Sequence, residues 1–338
     1  MKIWVLALLV WTAVASVSAQ PLAPPSQESR AIRLLRAREA QILQVMRDEP
    51  SRREHYADLE LIFRQQNEVR LADMIRDYRA LRFPLSRKRE PLKPAPAGRV
   101  EAPPPASRSL LRYRVELKHR AEVREAKALK ELERELRGKV SEPGAEAEWT
   151  YLLAMCFAYQ NQPGVACALF YRSFNEEPGQ ADIVVGFLRA LHRSGADGLA
   201  GELVDNYRVL MESESDFHAI AAEIFWEMGR YRESLVEAAA WTVQDPGNPN
   251  AWYAEGEKLF RRTKYADART RFARALSLDG KHLLSLAHMA RLSARNGDAE
   301  DTVQWLKRYR SLVSPEEFVA LLNRSEFLNV PRVLLLLD

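Results

Sequence analysis

The chain has few of the residue patterns that carry enzyme chemistry. Its two cysteines form no CxxC pair, and its six histidines show no HExxH spacing. It also has no GxSxG sequence and no phosphate-binding loop among its 14 glycines. These absences remove the common signatures of metal, nucleophile and nucleotide sites. We therefore predict that the protein is not an enzyme and uses no cofactor and no metal. The alternative of an enzyme, or an enzyme subunit, stays open, because a fold by itself does not decide function.

Only the N-terminus has an apolar run that reads as a targeting signal. Lys2 precedes a mostly apolar stretch from Ile3 to Val14, and Val17–Ala19 fits a signal-peptidase site. The run is too short to span a bilayer, so residues 1–19 are predicted to be a signal peptide cleaved after Ala19. The expected location is periplasmic or secreted, and retention as an uncleaved anchor is the alternative. No later segment is long enough to cross a membrane.

Neither sign of charge dominates the whole chain, but the charge is unevenly spread. The net charge is +4, yet residues 26–140 hold 28 Lys+Arg against 18 Asp+Glu, a balance of +10. Residues 141–338 hold 21 against 28, a balance of −7. A basic first part suits contact with an anionic envelope polymer or lipid head groups. Two other interpretations stay open: the arginines solvate helix faces, or the two parts attract each other.

A 34-residue repeat is the strongest pattern in the chain. Five blocks follow each other without insertion or deletion, starting at Ala147, Ala181, Ser215, Pro249 and Leu283. We number the positions of each block as slots 1 to 34. Slot 20 is small in every block, slot 8 is small in four of five, and slot 11 is large and apolar in four of five. Such a period marks a stacked array in which no unit buries its apolar face alone, and it makes binding the default function.

The residues at these slots resemble the tetratricopeptide repeat (TPR) family. Block 4 matches slots 4, 8, 11, 20, 24 and 27 of that family's motif with Trp252, Gly256, Leu259, Ala268, Phe272 and Ala275. Block 3 matches slots 8, 11, 15, 17, 20 and 32 with Ala222, Phe225, Gly229, Tyr231, Ser234 and Pro246. The resemblance implies an all-α fold, a right-handed superhelix of TPR-like helix pairs over residues 141–316. Helix A of each pair is expected near slots 1–3 and helix B near slots 15–18.

Two positions depart from the family's pattern. Leu188 stands at slot 8 of block 2, so we expect a looser or shifted crossing there. Ser293 stands at slot 11 of block 5, which suggests a frayed last repeat. A helical-hairpin array of another family is the alternative to the TPR interpretation.

The resemblance also implies a binding surface. In the TPR family, helix A lines a concave groove, with slots 2, 5, 9, 12 and 13 exposed there. In this chain those slots are aromatic along the middle with arginine beside them. The predicted peptide-binding groove is formed by Tyr159, Arg189, His192, Arg193, Trp226, Tyr253, Phe260 and Arg261. Aromatic and arginine side chains are the usual anchors of a binding surface. The alternative is that Trp226 and Phe260 pack against the neighbouring repeat.

Both cysteines fall in the first block. Cys156 is at slot 10 and Cys167 at slot 21, and in the resembled family these slots lie on the facing sides of helices A and B. In an exported protein this arrangement favours a structural disulfide. Two small buried apolar side chains are the alternative.

The segments before the repeats divide into three. Residues 20–83 show helical spacing and contain a degenerate repeat-like block from Arg53, for which a plain helical hairpin is the alternative. Seven prolines over residues 84–106 predict an extended linker that does not fold into a core. Residues 107–140 are predicted to form one charged helix that caps the first repeat, with a short coiled-coil arm as the alternative.

Residues 317–338 are predicted to complete two C-terminal helices, which start near Pro315 and Pro331. The chain ends in four leucines, Leu334–Leu337, before Asp338. Successive residues lie about 100° apart on a helix, so at least one leucine is expected to stay exposed. That leucine would contact a second copy of the chain or the partner. The alternative is an exposed terminus without a role.

Together these patterns predict an exported TPR-type scaffold that binds a protein or peptide in its concave groove. Nucleic acid is not an expected partner, because neither the period nor the export signal suits an RNA-reading array. The first alternative is an envelope protein that binds a polymer or lipid head groups through its basic N-terminal part. The second is an enzyme or enzyme subunit.

Overall fold

The protein is described by a computed structural model, which covers residues 30–84, 91–96, 108–123, 126–142, 147–324 and 327. Across these ranges the regular structure is helical and no strand occurs. The all-α prediction is therefore confirmed. The predicted signal peptide at residues 1–19 and the C-terminal leucines lie outside the described ranges.

Sixteen helices form within the described ranges. Before the repeats these are α1 (Arg30–Asp48), α2 (Arg53–Gln65), α3 (Val69–Arg82), α4 (Arg108–Glu122) and α5 (Ala126–Ser141). The repeats contain α6 (Ala147–Tyr159), α7 (Pro163–Glu176), α8 (Ala181–Arg193), α9 (Asp197–Tyr207), α10 (Ser215–Glu227), α11 (Tyr231–Gln244), α12 (Pro249–Arg261), α13 (Tyr265–Leu278), α14 (Leu283–Arg295) and α15 (Ala299–Arg310). The short helix α16 (Pro315–Leu322) follows the last repeat.

The five blocks fold as helix pairs in the frame of the sequence repeat. Helix A begins at slot 1 of every block and helix B begins at slot 17. Slot 15, in the turn between them, has a positive φ in every block, at Asn161, Gly195, Gly229, Thr263 and Gly297. Glycine takes this left-handed conformation freely and asparagine tolerates it, whereas a β-branched residue is strained there. Thr263, with φ of 59°, is thus the strained member of the series.

Small side chains allow the two helices of a pair to approach closely. In block 3 the hydroxyl of Ser234 at slot 20 donates to the carbonyl of Ala222 at slot 8, at 2.7 Å. In block 4 a Cβ added to Gly256 at slot 8 would lie 2.8 Å from the ring of Phe272 at slot 24. The small residue at slot 8 therefore makes room for the large residue at slot 24 as well as for slot 20.

The degenerate block from Arg53 has the geometry of a repeat. Helix α2 spans its slots 1–13, α3 begins at slot 17, and Asn67 at slot 15 has φ of 62°. Glu60, which departs from the motif at slot 8, forms ion pairs with Arg64 at 3.2 Å and Arg79 at 2.9 Å. Helix α3 packs against α7, which is helix B of block 1. The unit therefore lies beside the outer helix of the first repeat.

The charged segment before the repeats is two helices, whereas one was predicted over residues 107–140. Helix α4 ends at Glu122 and α5 begins at Ala126. Arg120 of α4 donates to the carbonyl of Ala128 at 2.6 Å, so it joins the two helices across the break. Helix α5 packs on α6 through its buried residues Leu129, Leu132, Leu136 and Val140. Helix α4 packs on α6 as well.

Part of the proline-rich segment belongs to the core, which corrects its prediction as a linker outside any core. Leu92 is 2% exposed and packs in the main apolar cluster. Its amide donates to the Glu202 carboxylate at 3.3 Å, and the Tyr207 hydroxyl donates to the Pro94 carbonyl at 3.4 Å. An extended segment has no internal hydrogen bonds, so the backbone groups of residues 91–96 bond to polar side chains of α9 instead.

The apolar core is continuous from α1 to α10 and then changes character. Beyond Phe225, blocks 4 and 5 have smaller apolar clusters of their own. Blocks 3 and 4 also bury the charged side chains of Glu237, Glu255 and Lys258. Of these, Lys258 pairs across the junction between the two blocks, with Glu223 at 2.6 Å. Glu237 pairs instead with His218 and Arg208, and Glu255 pairs with Arg271.

Candidate functional site

Helix A of blocks 1, 2 and 3 encloses a cavity of about 400 Å³, which we call the first cavity. Its apolar wall comes from Tyr151, Met155, Phe170, Val185 and Ile220. Four of the eight predicted groove residues surround it, namely Tyr159, Arg189, His192 and Arg193. The structure therefore brings half of the predicted groove together in one concave site.

Gly186 and Phe170 form the floor of the first cavity. A Cβ on Gly186 would lie 2.6 Å from Cε1 of Phe170, so the missing side chain makes room for the ring that lines the cavity. The ring of Tyr151 meets Phe170 edge-on, with centroids 5.9 Å apart. Packing with a neighbour on each side limits the rotamers of this ring, so the apolar floor is preformed.

The rim of the first cavity consists of polar side chains that already have partners. Arg189 lies 3.1 Å from the carboxylate of Asp216, on the next repeat. Arg193 donates to the Asn161 side-chain carbonyl at 2.6 Å. His192 Nδ1 lies 3.0 Å from the Asp197 carboxylate. These contacts orient both guanidinium groups while about half of the Arg189 side chain stays exposed. The rim can therefore offer hydrogen-bond donors to a ligand without rearrangement.

The two tyrosines of the first cavity stay protonated at neutral pH. Burial raises the pKa of Tyr151 well above its ordinary value, and the nearby Asp182 carboxylate raises it further. Burial also raises the pKa of Tyr159, although its side chain is 45% exposed. Both phenols are thus neutral groups that donate or accept a hydrogen bond beside an apolar ring.

The other four predicted residues, Trp226, Tyr253, Phe260 and Arg261, do not line the first cavity and lie on blocks 3 and 4. Trp226 is partly buried, and its ring lies 5.4 Å from the Arg261 guanidinium carbon and 5.8 Å from Lys258 Nζ. Tyr253 packs against Phe272 at 5.9 Å between ring centroids. A cation over an indole face stabilises both groups. The Arg261 side chain is 52% exposed and Trp226 is only partly buried, so both are accessible to a ligand.

Phe260 is buried, which differs from its predicted position on the groove surface. It is 8% exposed, because Tyr265 and His288 pack edge-on against its ring at 5.3 and 5.2 Å. The guanidinium carbon of Arg291 lies 4.6 Å above it. Phe260 thus fills the interior next to the following repeat, as the alternative interpretation had it.

The slots taken from the family's groove missed two notable side chains. Lys258, at slot 10, has no exposed surface, and its ammonium lies 2.6 Å from Glu223. His288, at slot 6, contacts the backbone carbonyl of Leu284 through Nδ1 at 3.0 Å and Arg291 through Nε2 at 3.1 Å. Arginine only donates, so Nε2 accepts and the ring is neutral. Burial lowers the pKa of His288 to about 4. The slot numbers of Lys258 and His288 did not indicate that these side chains lie among such partners.

The predicted disulfide is wrong, since Cys156 and Cys167 are both free and buried. The sulfur of Cys156 contacts the Leu129 carbonyl of α5 at 3.4 Å. The sulfur of Cys167 contacts the Ser194 hydroxyl, after the end of α8, at 3.5 Å. Slots 10 and 21 thus face different neighbours of block 1. Burial raises the pKa of Cys156 to about 12, which makes it an inert apolar side chain.

A second cavity, of about 530 Å³, lies between α1 and α5 and is centred on Arg137. The guanidinium of Arg137 is paired with three carboxylates, Glu39 at 2.5 Å, Glu133 at 2.7 Å and Glu68 at 2.8 Å. Its carbon also lies 5.2 Å from the ring of Phe63. Through these contacts Arg137 connects α1, the degenerate repeat and α5. The polar side chains that line the second cavity therefore stabilise the packing of these helices.

The part of the chain that the structure describes contains no cluster of three or more His, Cys, Asp or Glu side chains placed to hold a metal ion. Within the same ranges, no helix has the length and apolar character needed to cross a membrane.

Comparison with known proteins supports the repeat architecture. No family model and no curated protein matches the chain. A structure of PilF from Pseudomonas aeruginosa is 14% identical, with a TM-score of 0.50 over 63% of this chain and 99% of that one. A structure of PilW, described as a widely conserved type IV pilus biogenesis factor, is 14% identical. The match covers 55% of this chain and 88% of PilW, with a TM-score of 0.49. A structure of YrrB, described as a TPR protein with an unusual peptide-binding site, is 12% identical. The match covers 55% of this chain and 95% of YrrB, with a TM-score of 0.45.

At these identities the similarity shows the fold alone. The similarity to PilF, together with five helix pairs in a 34-residue frame, gives the chain a TPR-like repeat fold, so the predicted resemblance is confirmed.

Proposed function

We propose that the protein is an exported scaffold that binds a protein or peptide segment in the concave groove of its repeats. The observation that carries this proposal is the first cavity, whose apolar floor is surrounded by the oriented side chains of Arg189 and Arg193. A cavity of this composition suits one large apolar side chain of a ligand. Burying such a side chain contributes roughly 1.5–3 kcal/mol.

The rim of the first cavity offers a ligand charged groups of both signs. Arg189 and Arg193 line the cavity together with Asp182 and Asp216, and Arg189 is paired with Asp216 at 3.1 Å. A peptide whose charges complement these side chains is favoured over one without them. Trp226 and Arg261 extend the same face by one repeat and offer a second anchor further along the peptide.

The distribution of charge in the N-terminal part does not favour binding through a basic surface. Arg64 and Arg76 pair with Asp73, at 3.0 and 2.8 Å. Arg70 donates to the Val140 and Glu142 carbonyls at 2.8 Å each, and Arg82 donates to the Ser194 carbonyl at 2.6 Å. Many of the arginines therefore hold this part of the chain together and attach it to the repeats.

A photo-crosslinking experiment tests the groove. Tyr159 is replaced by a benzophenone amino acid in the full chain, which preserves an aromatic ring at the mouth of the first cavity. The control carries the same group at Val243, which is exposed on helix α11, a B helix. We expect a defined protein adduct from position 159 only, and we expect the Arg193→Glu change to reduce it. Equal adducts from both positions, or an adduct insensitive to Arg193, would contradict groove binding.

Export rests on residues 1–19 and has its own test. We expect the protein in the periplasmic or secreted fraction, with a mass that corresponds to a first residue of Gln20. A cytoplasmic protein that retains residues 1–19 would refute export and leave the groove proposal standing.

A further inference from the structure

Helix α4 lies against the same face of the array that carries the first cavity. Its Arg114 Nε lies 2.7 Å from the Glu148 carboxylate, and Nη1 lies 3.5 Å from Asp182 on the next repeat. The guanidinium carbon lies 5.6 Å from the centre of the Tyr151 ring. Tyr151 and Asp182 both line the first cavity. A side chain of the protein itself therefore already contacts the residues at the edge of the groove.

The docking of α4 is shallow compared with that of α5. Among the α4 side chains that the structure describes, only Leu117 is buried, and Tyr113 meets Trp149 edge-on at 5.4 Å between centroids. Val115, on the same helix, is 70% exposed. Helix α5 instead buries four apolar side chains against α6 and its neighbours. Burial of apolar area is the main source of docking stability, so α4 is the more easily released of the two.

The charges of the two surfaces are complementary. Residues 108–122 hold five Lys+Arg against two Asp+Glu, whereas the repeat part of the chain is acidic overall. The groups that Arg114 meets are two carboxylates and an aromatic face, which are the partners that guanidinium prefers. A neutral or acidic helix at this position would leave Glu148 and Asp182 unpaired.

We infer that α4 is a resident, displaceable ligand of the groove, and that the partner is a basic amphipathic helix that replaces it. This inference rests on the proposed function, because it assumes that the groove binds a peptide segment. The resident helix competes at high effective concentration, so it lowers the apparent affinity for any partner that needs Tyr151 and Asp182. Releasing α4 would make this end of the groove available.

The test uses the full chain and a fluorescein-labelled peptide with the sequence of residues 108–123. In the test variant, Tyr113→Ala and Leu117→Asp release α4. In the control variant, Val115→Asp changes an exposed position of the same helix. We expect the released variant to bind the peptide at least tenfold more tightly than wild type, and the control to bind like wild type. A peptide that carries Arg114→Glu should lose most of this gain.

Two results would overturn the inference. One is equal binding of the peptide by wild type and by the released variant. The other is undiminished binding of the Arg114→Glu peptide. Either result is compatible with a groove that still crosslinks a partner at position 159, so the two proposals fail separately. If the released variant does not fold, as judged by circular dichroism, the full chain with Arg114→Glu alone replaces it. That variant keeps Leu117 and is expected to show the same gain in peptide binding.

Discussion

His218 and Glu237 form a buried pair inside block 3, with Nδ1 2.6 Å from the carboxylate oxygen. His218 Nε2 lies 2.9 Å from the Glu212 carbonyl, so both ring nitrogens face acceptors. Burial opposes protonation of His218, but the hydrogen bonds to Glu237 and Glu212 outweigh it and raise its pKa. Both acceptors therefore favour the charged form of the histidine.

The first prediction is that His218 stabilises the fold below neutral pH. Its pKa is higher in the folded chain than in the unfolded chain, so the contribution is complete below about pH 6.5 and is lost as the pH rises through the folded value. We expect His218→Gln to reduce the free energy of unfolding by about 2 kcal/mol at pH 5.5, with a smaller loss at pH 9. Thermal unfolding followed by circular dichroism gives both values. An equal loss at the two pH values would contradict the charged pair.

The second prediction concerns His288, whose pKa is shifted in the opposite direction to that of His218. Burial lowers its pKa to about 4, so the folded protein excludes a proton that the unfolded chain accepts. Its neutral form is compatible with the fold above about pH 6.5, and stability is lost as the pH falls towards 4. Replacement by Gln should therefore flatten the acid side of the stability curve, by up to about 3 kcal/mol between pH 6.5 and 4. The same melts on His288→Gln provide the check, and an unchanged acid slope would rule out a buried neutral imidazole.

The third prediction is that Thr263→Gly stabilises the protein. Thr263 has φ of 59° in the turn where three other blocks use glycine. Relief of this conformation should raise the free energy of unfolding by about 1 kcal/mol. The matched control is Gly229→Ala, at the same slot, which should lower it by a similar amount. Melting temperatures that move in the same direction for both variants would show that the turn is not strained.

The 34-residue frame predicted the helices of the repeats because it reflects contacts inside each pair. A turn with a positive φ at slot 15 occurs in every block, and a small residue stands at slot 8 in all blocks but the second, which has Leu188. The first residues of α6 to α15 therefore follow the sequence period. The degenerate block from Arg53 shows the same turn at Asn67 even though its core slots have diverged.

The contacts between repeats and with the flanking helices could not be read from the period. Cys156 faces α5 and Cys167 faces α8, because each slot has a neighbour outside its own pair. Phe260 is buried for the same reason, since His288 of the next block packs against it. A period describes one unit and its copies, whereas these side chains depend on elements that occur once in the chain.

The fourth prediction is that Leu92 anchors the N-terminal part to the repeats. Its side chain is in the main apolar cluster, although it lies between prolines in an extended segment. The Leu92→Ala change should reduce the free energy of unfolding by roughly 2–3 kcal/mol. Pro94→Ala, at an exposed position of the same segment, should change it by less than about 0.5 kcal/mol. Denaturant titration of both variants separates them, and similar small losses would mean that residues 91–96 are not docked.

The fifth prediction is that Gly186→Ala damages the first cavity, while the same change at Gly198 does not. A Cβ at position 186 would lie 2.6 Å from the Phe170 ring, so the ring must move or the helices must separate. Overpacking of this kind costs about 1–3 kcal/mol. A Cβ at Gly198, on helix B of the same repeat, meets nothing within 4 Å. There, replacement of glycine by alanine in a helix should stabilise the protein by up to about 1 kcal/mol.

The two glycine variants also separate a change in stability from a change in binding. Displacing Phe170 alters the floor of the first cavity, so Gly186→Ala should reduce the adduct from the benzophenone at position 159 even at temperatures where the variant is folded. Gly198→Ala should leave that adduct unchanged, because a Cβ there meets nothing within 4 Å and so does not displace Phe170. If Gly186→Ala instead melts at a higher temperature and crosslinks normally, then Phe170 does not form the floor and the ligand binds elsewhere on the concave face.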